Sequence, residues 1–207
     1  GRGLRLRWRR CRDWNGRGKC VQGGCDLLQG VNIAQIVMND HGGIFAEVIE
    51  LVAEAVGGLG LPVRVSRNEF FRGSLNILVG HTAFRKREEL EMLWKSGLPY
   101  VVLQLEALDG EVGPMKQFPA YVEVLKRAMQ IWDYSEGNVA FLGELGLFKA
   151  RCIPIGYAKK LERVVRSGGA DVDVLFYGVL NDRRRRVLDG LVAEGVRVEL
   201  FVGYGRE

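Results

Sequence analysis

The chain has 207 residues, 47% of them hydrophobic and 27% charged. That is the composition of a soluble globular protein with room for one or two domains, and no apolar run approaches the ~20 residues of a bilayer-spanning helix. The formal net charge of +5 is local, since residues 1–30 carry +6 and the remainder −1. The four cysteines, Cys11, Cys20, Cys25 and Cys152, include no CxxC pair with a nearby histidine, so free thiols are expected and neither a disulfide scaffold nor a zinc site.

Residues 1–30 show neither helical nor strand periodicity, and seven glycines interrupt them. They are expected to form a basic, disordered leader without a packed core. Arginines interleaved with Trp8 and Trp14 could grip nucleic acid or an anionic surface through phosphate contacts and stacking; a plain leader, or a segment foreign to the fold, is the simpler reading. No apolar core follows the positive charge, so this is not a secretory signal. A cytoplasmic location is expected.

Regular structure is predicted from Val31. VNIAQIVM is a strand, followed by the loop Asn39-Asp40-His41-Gly42-Gly43 and a helix from Ile44 to Val56. Gly57, Gly58 and Gly60 should close that helix, and Pro62 forbids its continuation. LPVRVS, SLNILVG (Ser74 to Gly80) and PYVVLQLE (Pro99 to Glu106) are further strands, with a helix from Lys86 to Lys95 between the last two. Residues 112–118 read as loop, Ala120 to Met129 as helix, and QIWD as a short strand. Ser135 caps a helix through Leu145, and Lys149 to Ile155 is another strand. The tail repeats the pattern: Val174 to Tyr177 as a strand, a helix from Asp182 stopped by Gly195, and the strand VRVELFV. Strands alternating with helices define an α/β fold with a largely parallel sheet. A lone βαβ tail that hung exposed would present Leu175, Phe176, Leu200 and Phe201 to solvent and promote association.

Ligands of open parallel sheets bind beyond the carboxyl ends of the strands. His41, Gly42 and Gly43, Gly80 and His81, Glu106, Asp133 and Ser135, Gly156 and Tyr157, and Gly178 and Asn181 all fall at such ends. Both histidines of the chain follow apolar strands. A histidine titrating near neutrality is a natural general base for a hydroxyl, which favours His41, and Glu106 is the rival carboxylate. Asp133 and Ser135 are equally readable as helix caps, and Gly156 and Gly178 as turns. Arg183 to Arg186 crowd a helix start, where they oppose the dipole unless they meet an anion; a solvated arginine face is the alternative. No GxGxxG follows the first strand, and no GxxxxGK[ST], GxSxG or HExxH occurs.

The segments SLNILVGH (74–81), IWDYSEGN (131–138), IPIGY (153–157), DVDVLFYGVLNDRRRRVLDGL (171–191) and VELFVGYGRE (198–207) resemble a bacterial group of glycosyltransferase-like proteins. The group has the GT-B arrangement of two facing Rossmann-like domains. The likeness runs from about Val31 to the end, and DVDVLFYGVLNDRR is its most specific part. It implies an acceptor-side Rossmann-like domain over residues 31–166 and the start of a donor-side domain over 171–207, incomplete, so that the chain reads as C-terminally truncated. It further implies transfer of a sugar from a nucleotide-sugar co-substrate to an unknown acceptor, with no metal and no other cofactor. Gly178, Asn181 and Arg183 would face the donor phosphates, and His41 would lie where relatives keep a catalytic or acceptor-binding group. The rival expectation is a non-catalytic Rossmann-like module whose leader binds nucleic acid or an anionic surface.

Overall fold

Unbroken apolar runs, rather than alternation, mark strands covered on both faces. Val31–Gln35 (β2), Leu75–Val79 (β5) and Tyr100–Gln104 (β6) follow this rule apart from the polar Asn32, Gln35, Asn76 and Gln104, and nearly every residue in them is buried. The structure, a computed structural model, describes residues 7–9, 30–36, 45–80, 84, 87–108, 119–163, 168–169 and 172–202. The chain divides into two compact units, Gly1–Leu161 and Glu162–Glu207.

In the first unit, β2, β5 and β6 join Val63–Arg67 (β3), Ile131–Asp133 (β7) and Ala150–Cys152 (β8) in one sheet of order β3-β2-β5-β6-β7-β8, all parallel. In register, Ile33 of β2 lies beside Val65 of β3 and Ile77 of β5. The helices are Ala46–Gly58 (α1), Arg87–Lys95 (α2), Pro119–Arg127 (α3) and Glu136–Glu144 (α4). Strand pleating sends alternate side chains to opposite faces, and two cores result. Val31, Ile33, Ile77, Val79 and Leu103 pack with Ile49 of α1. Ala34, Leu78, Val102 and Ile131 pack with Leu90 and Leu93 of α2, Tyr121, Val124 and Leu125 of α3, and Leu142 of α4. This is an α/β unit of Rossmann-like type, a parallel sheet flanked by helices. Its strand order reverses between β2 and β5, which defines a topological switch point.

Three features depart from the sequence reading. The first helix runs through Gly57 and Gly58, and only Gly60, with φ +76°, takes the left-handed turn. Glu69–Phe71 forms an unforeseen strand, β4, outside the main sheet. Its partner is Arg7–Arg9 (β1), which pairs with it in parallel inside the leader that was expected to hold no strand.

β4 is held by two buried asparagines. The side-chain amide of Asn76 donates to the Phe71 carbonyl (3.2 Å) and accepts from the Phe71 N–H (3.0 Å), as a neighbouring strand would. Asn32 donates to the Glu69 carbonyl (3.0 Å) and to Asn76 Oδ1 (3.0 Å), while the Ser66 hydroxyl donates to Asn32 Oδ1 (2.8 Å). Amides inside β2 and β5 thus stand in for a missing ladder, which is how a buried polar side chain escapes its desolvation cost.

In the second unit, Val174–Gly178 (β9) and Val198–Val202 (β10) pair in parallel around the helix Asp182–Ala193 (α5). It is a βαβ motif with a two-stranded sheet.

Candidate functional site

Gln104, the last residue of β6, is fully buried, and a buried amide must find partners for both its ends. Its Oε1 accepts from the Glu106 N–H (2.6 Å) and from the Tyr121 hydroxyl (2.8 Å). Its Nε2 donates to the Glu106 carbonyl (2.6 Å) and to Asp133 Oδ2 (2.8 Å). Asn138, on the first turns of α4, repeats the contact from the other side. Its Nδ2 donates to the Glu106 carbonyl (2.9 Å) and Asp133 Oδ2 (3.0 Å), and its Oδ1 accepts from the Leu108 N–H (3.2 Å). The backbone of Glu106 is therefore gripped at both its N–H and its carbonyl by side chains of a strand and a helix.

Asp133, at the end of β7, is fully buried. Three donors compensate its carboxylate: Gln104, Asn138 and the Ser135 N–H (2.8 Å). Ser135 is the N-cap of α4, its hydroxyl accepting from the Asn138 N–H (3.3 Å). Asp133 and Ser135 are thus spent inside the protein as a network anchor and a cap.

The Glu106 side chain differs. It is half-buried, and loss of solvation raises its carboxyl above the usual glutamate range. Burial, with Glu106 and Asp133 nearby, raises the Tyr121 phenol strongly and holds it protonated as the donor to Gln104. The carboxyl ends of β6 and β7 therefore carry two carboxyl groups, Glu106 on a peptide held at both its N–H and its carbonyl, and Asp133 with its hydrogen bonds committed.

At the switch point, the pairing of β2 with β5 extends one bond further, from the Ile36 N–H to the Val79 carbonyl (2.8 Å). Gly80 follows with φ +78°, and a Cβ there would stand 2.6 Å from the Ile36 carbonyl oxygen. His41, Gly42 and Gly43 come after β2 in the chain and His81 comes directly after Gly80; all four lie outside the described residues. Gly156 and Tyr157 lie on the exposed stretch after β8, Tyr157 being 72% exposed.

In the second unit, Gly178 ends β9 with φ +129°, and Asn181 is the N-cap of α5, accepting from the Arg184 N–H (2.9 Å). Arg183 is exposed on the first turn of that helix. Gly178, Asn181 and Arg183 share one strand-to-helix turn, while Glu106, Asp133 and Ser135 share the β6–β7 edge of the first unit.

Gln104, Tyr121 and Asn138 were not singled out in the sequence. One signal for Gln104 was available: a glutamine closes the otherwise apolar strand YVVLQ. Tyr121 and Asn138 look like ordinary helix residues until the strands are placed beside them.

Among the described residues, no group of three His, Cys, Asp or Glu side chains could hold a metal ion, and no helix is long and apolar enough to cross a membrane. Cys152 is a free, exposed thiol. No protein-family model, curated protein or solved structure matches the chain.

Proposed function

We propose that the six-stranded unit binds a hydroxyl-bearing small molecule at its carboxyl edge. Glu106 takes the proton of that hydroxyl in glycosyl transfer from a nucleotide sugar. The observation that carries the reading is the half-buried Glu106 carboxyl, raised by desolvation on a peptide clamped by Gln104 and Asn138. A carboxylate with an elevated pKa is a better base at neutral pH than a solvated one. A fixed backbone limits the conformations from which it must act.

In the proposed step the acceptor O–H bond breaks and its proton passes to Glu106. The acceptor oxygen forms a bond to the sugar's anomeric carbon. The bond from that carbon to the diphosphate breaks, and the nucleoside diphosphate leaves with the electron pair. Support for the sugar-nucleotide half of the reading is the likeness of residues 171–191 to the donor-side turn of GT-B proteins. His41 is the rival base.

The test is a calorimetric titration of the whole chain with nucleoside diphosphates and sugar nucleotides, followed by transfer assays on two variants. Binding of one nucleotide is expected, with Glu106→Gln losing turnover and His41→Ala retaining it. The reverse pattern transfers the role to His41, and the absence of any nucleotide binding removes the glycosyl-transfer reading.

A further inference from the structure

We infer that the cleft between α2 and α3 is a binding site for a small phosphate monoester, held by Arg87, Lys95 and Arg127. The site is separate from Glu106, and the inference does not rest on the proposed glycosyl transfer.

The spacing of α2 builds one wall. Arg87, Glu91 and Lys95 recur every fourth residue and so share one side of the helix. Glu91 ties the row together, with Arg87 Nε donating to its Oε1 (3.3 Å) and Lys95 Nζ to its Oε2 (3.4 Å). The hydrogen bond from Arg87, then the one from Lys95, holds the Glu91 carboxyl below the usual glutamate range. Arg127, on the last turn of α3, supplies the other wall. Its guanidinium lies over the Trp94 ring, 3.8 Å from the centroid, and Trp94 packs against the buried core. These five residues line a cleft of about 340 Å³, near the lower end of the range for small-molecule sites.

Charge and unspent donors decide what the cleft can hold. Three cations against one carboxylate leave it net positive by two charges. A phosphate monoester carries about −1.5 to −2 at pH 7, with an array of strong acceptor oxygens. Arg87 commits only its Nε–H to Glu91, and Lys95 one of its ammonium protons. Arg127 makes no hydrogen bond or ion pair among the described residues, and its stacked guanidinium keeps its N–H edges available. Stacking also fixes that side chain in advance, so less freedom is lost when an anion arrives. The exposed pairs to Glu91 are individually weak, so an entering phosphate draws on both cations at little cost. Residues 31–207 carry a net charge of −1, which makes the cleft an isolated positive spot and not one stretch of a track for a polyanion. Lys95 and Arg127 sit on the last turns of α2 and α3, where the helix dipoles favour cations. Those helices lead into β6 and β7, so this end of the cleft lies toward the amino ends of strands whose carboxyl ends carry Glu106.

Titration of the full chain with phenyl phosphate at constant ionic strength, followed by the indole N–H signals in heteronuclear NMR spectra, tests this. The Trp94 signal, identified by its loss in Trp94→Phe, should shift and saturate. Phenyl sulfate, a monoanion of the same shape, should bind several-fold more weakly. Arg127→Gln, and Arg87→Gln combined with Lys95→Gln, should each weaken binding by about tenfold or more, as loss of a charge-assisted hydrogen bond does. The double variant changes exposed side chains only, so it carries the test if circular dichroism shows Arg127→Gln to be misfolded. Lys126→Gln makes the same charge change beside the cleft and should leave binding within about twofold, as should Glu106→Gln. A Trp94 signal unmoved by millimolar phenyl phosphate overturns the inference, and so does equal binding of phenyl sulfate. Loss of binding in Lys126→Gln, or in Arg183→Gln of the second unit, would place the anion elsewhere and overturn it too. Tighter binding of a single-stranded oligonucleotide, lost in the same cleft variants, would replace the small ester with a polyanion.

Discussion

Gly80 and Glu106 each rest on a single feature of their surroundings, which makes both testable by one substitution. At Gly80 the backbone adopts φ +78°, and an added Cβ would lie 2.6 Å from the backbone oxygen of Ile36, which cannot swing aside as a side-chain end could. Left-handed backbone costs a residue with a Cβ about 1 kcal/mol or more, and the clash adds to it. Gly80→Ala should therefore lower stability by at least about 2 kcal/mol, read from urea or thermal unfolding. Gly60 takes φ +76° with nothing near its Cβ position, so Gly60→Ala should cost only the conformational part, about 1 kcal/mol.

Glu106 makes a prediction in pH. Its folded pKa lies above the ordinary glutamate value of about 4.3, because burial disfavours the charged form. Between the unfolded and the folded pKa the native state binds more protons than the unfolded chain. Stability contributed by the neutral carboxyl is thus present below the unfolded value and is lost as pH rises through the folded one. Glu106→Gln, which cannot ionise, escapes that loss. Urea midpoints at pH 4 and at pH 7 should show the variant gaining on the native chain at the higher pH; a difference independent of pH would rule out the burial effect.

At the scale of elements, β4 is the informative case. Three residues, EFF, between Asn68 and Arg72 show no alternation and are too short for any periodic signal. They pair with Arg7–Arg9, and they are held in place by the amide of Asn76, forty-four residues from Asn32 in sequence, donating and accepting at Phe71. Asn76→Leu keeps the approximate volume but strands the Phe71 N–H and carbonyl and loses the bonds to the Ser74 and Pro99 carbonyls (3.1 and 3.2 Å). Each buried group left unpaired costs about 1–3 kcal/mol, so a loss of 3 kcal/mol or more is expected, roughly, in chemical denaturation. The same reasoning explains what was readable beforehand. The six sheet strands and their intervening helices were visible because apolar runs and helical spacing are local properties. The extents of α1 and β8 were not, since Gly57 and Gly58 continue a helix already paired by its own backbone, and β8 ends at Cys152 before Pro154. At the candidate site, Glu106, Asp133 and Ser135 were visible from their positions at strand ends. The clamp made by Gln104, Tyr121 and Asn138 was not, because it exists only once β6, β7, α3 and α4 are neighbours.

For the whole molecule, the two units differ sharply in what they bury. The first has two cores that include Ile33, Ile77, Leu78, Tyr121 and Leu125, each fully buried, on six hydrogen-bonded strands. In the second, among the described residues, Leu188 is the one buried hydrophobic residue and both strands keep an edge without a strand partner. Folding a domain of this size alone leaves little margin after conformational entropy, because small units bury a smaller share of their surface. The chain should therefore not unfold in one step. Native-state hydrogen exchange should find amides of β5 and β6 opening only with global unfolding, and amides of β9 and β10 opening at a free energy several kcal/mol lower. Equal protection in the two sheets at high dilution would mean that β9 and β10 draw on a stabilising contact in the monomer, and the account of the second unit as the weaker one would fail.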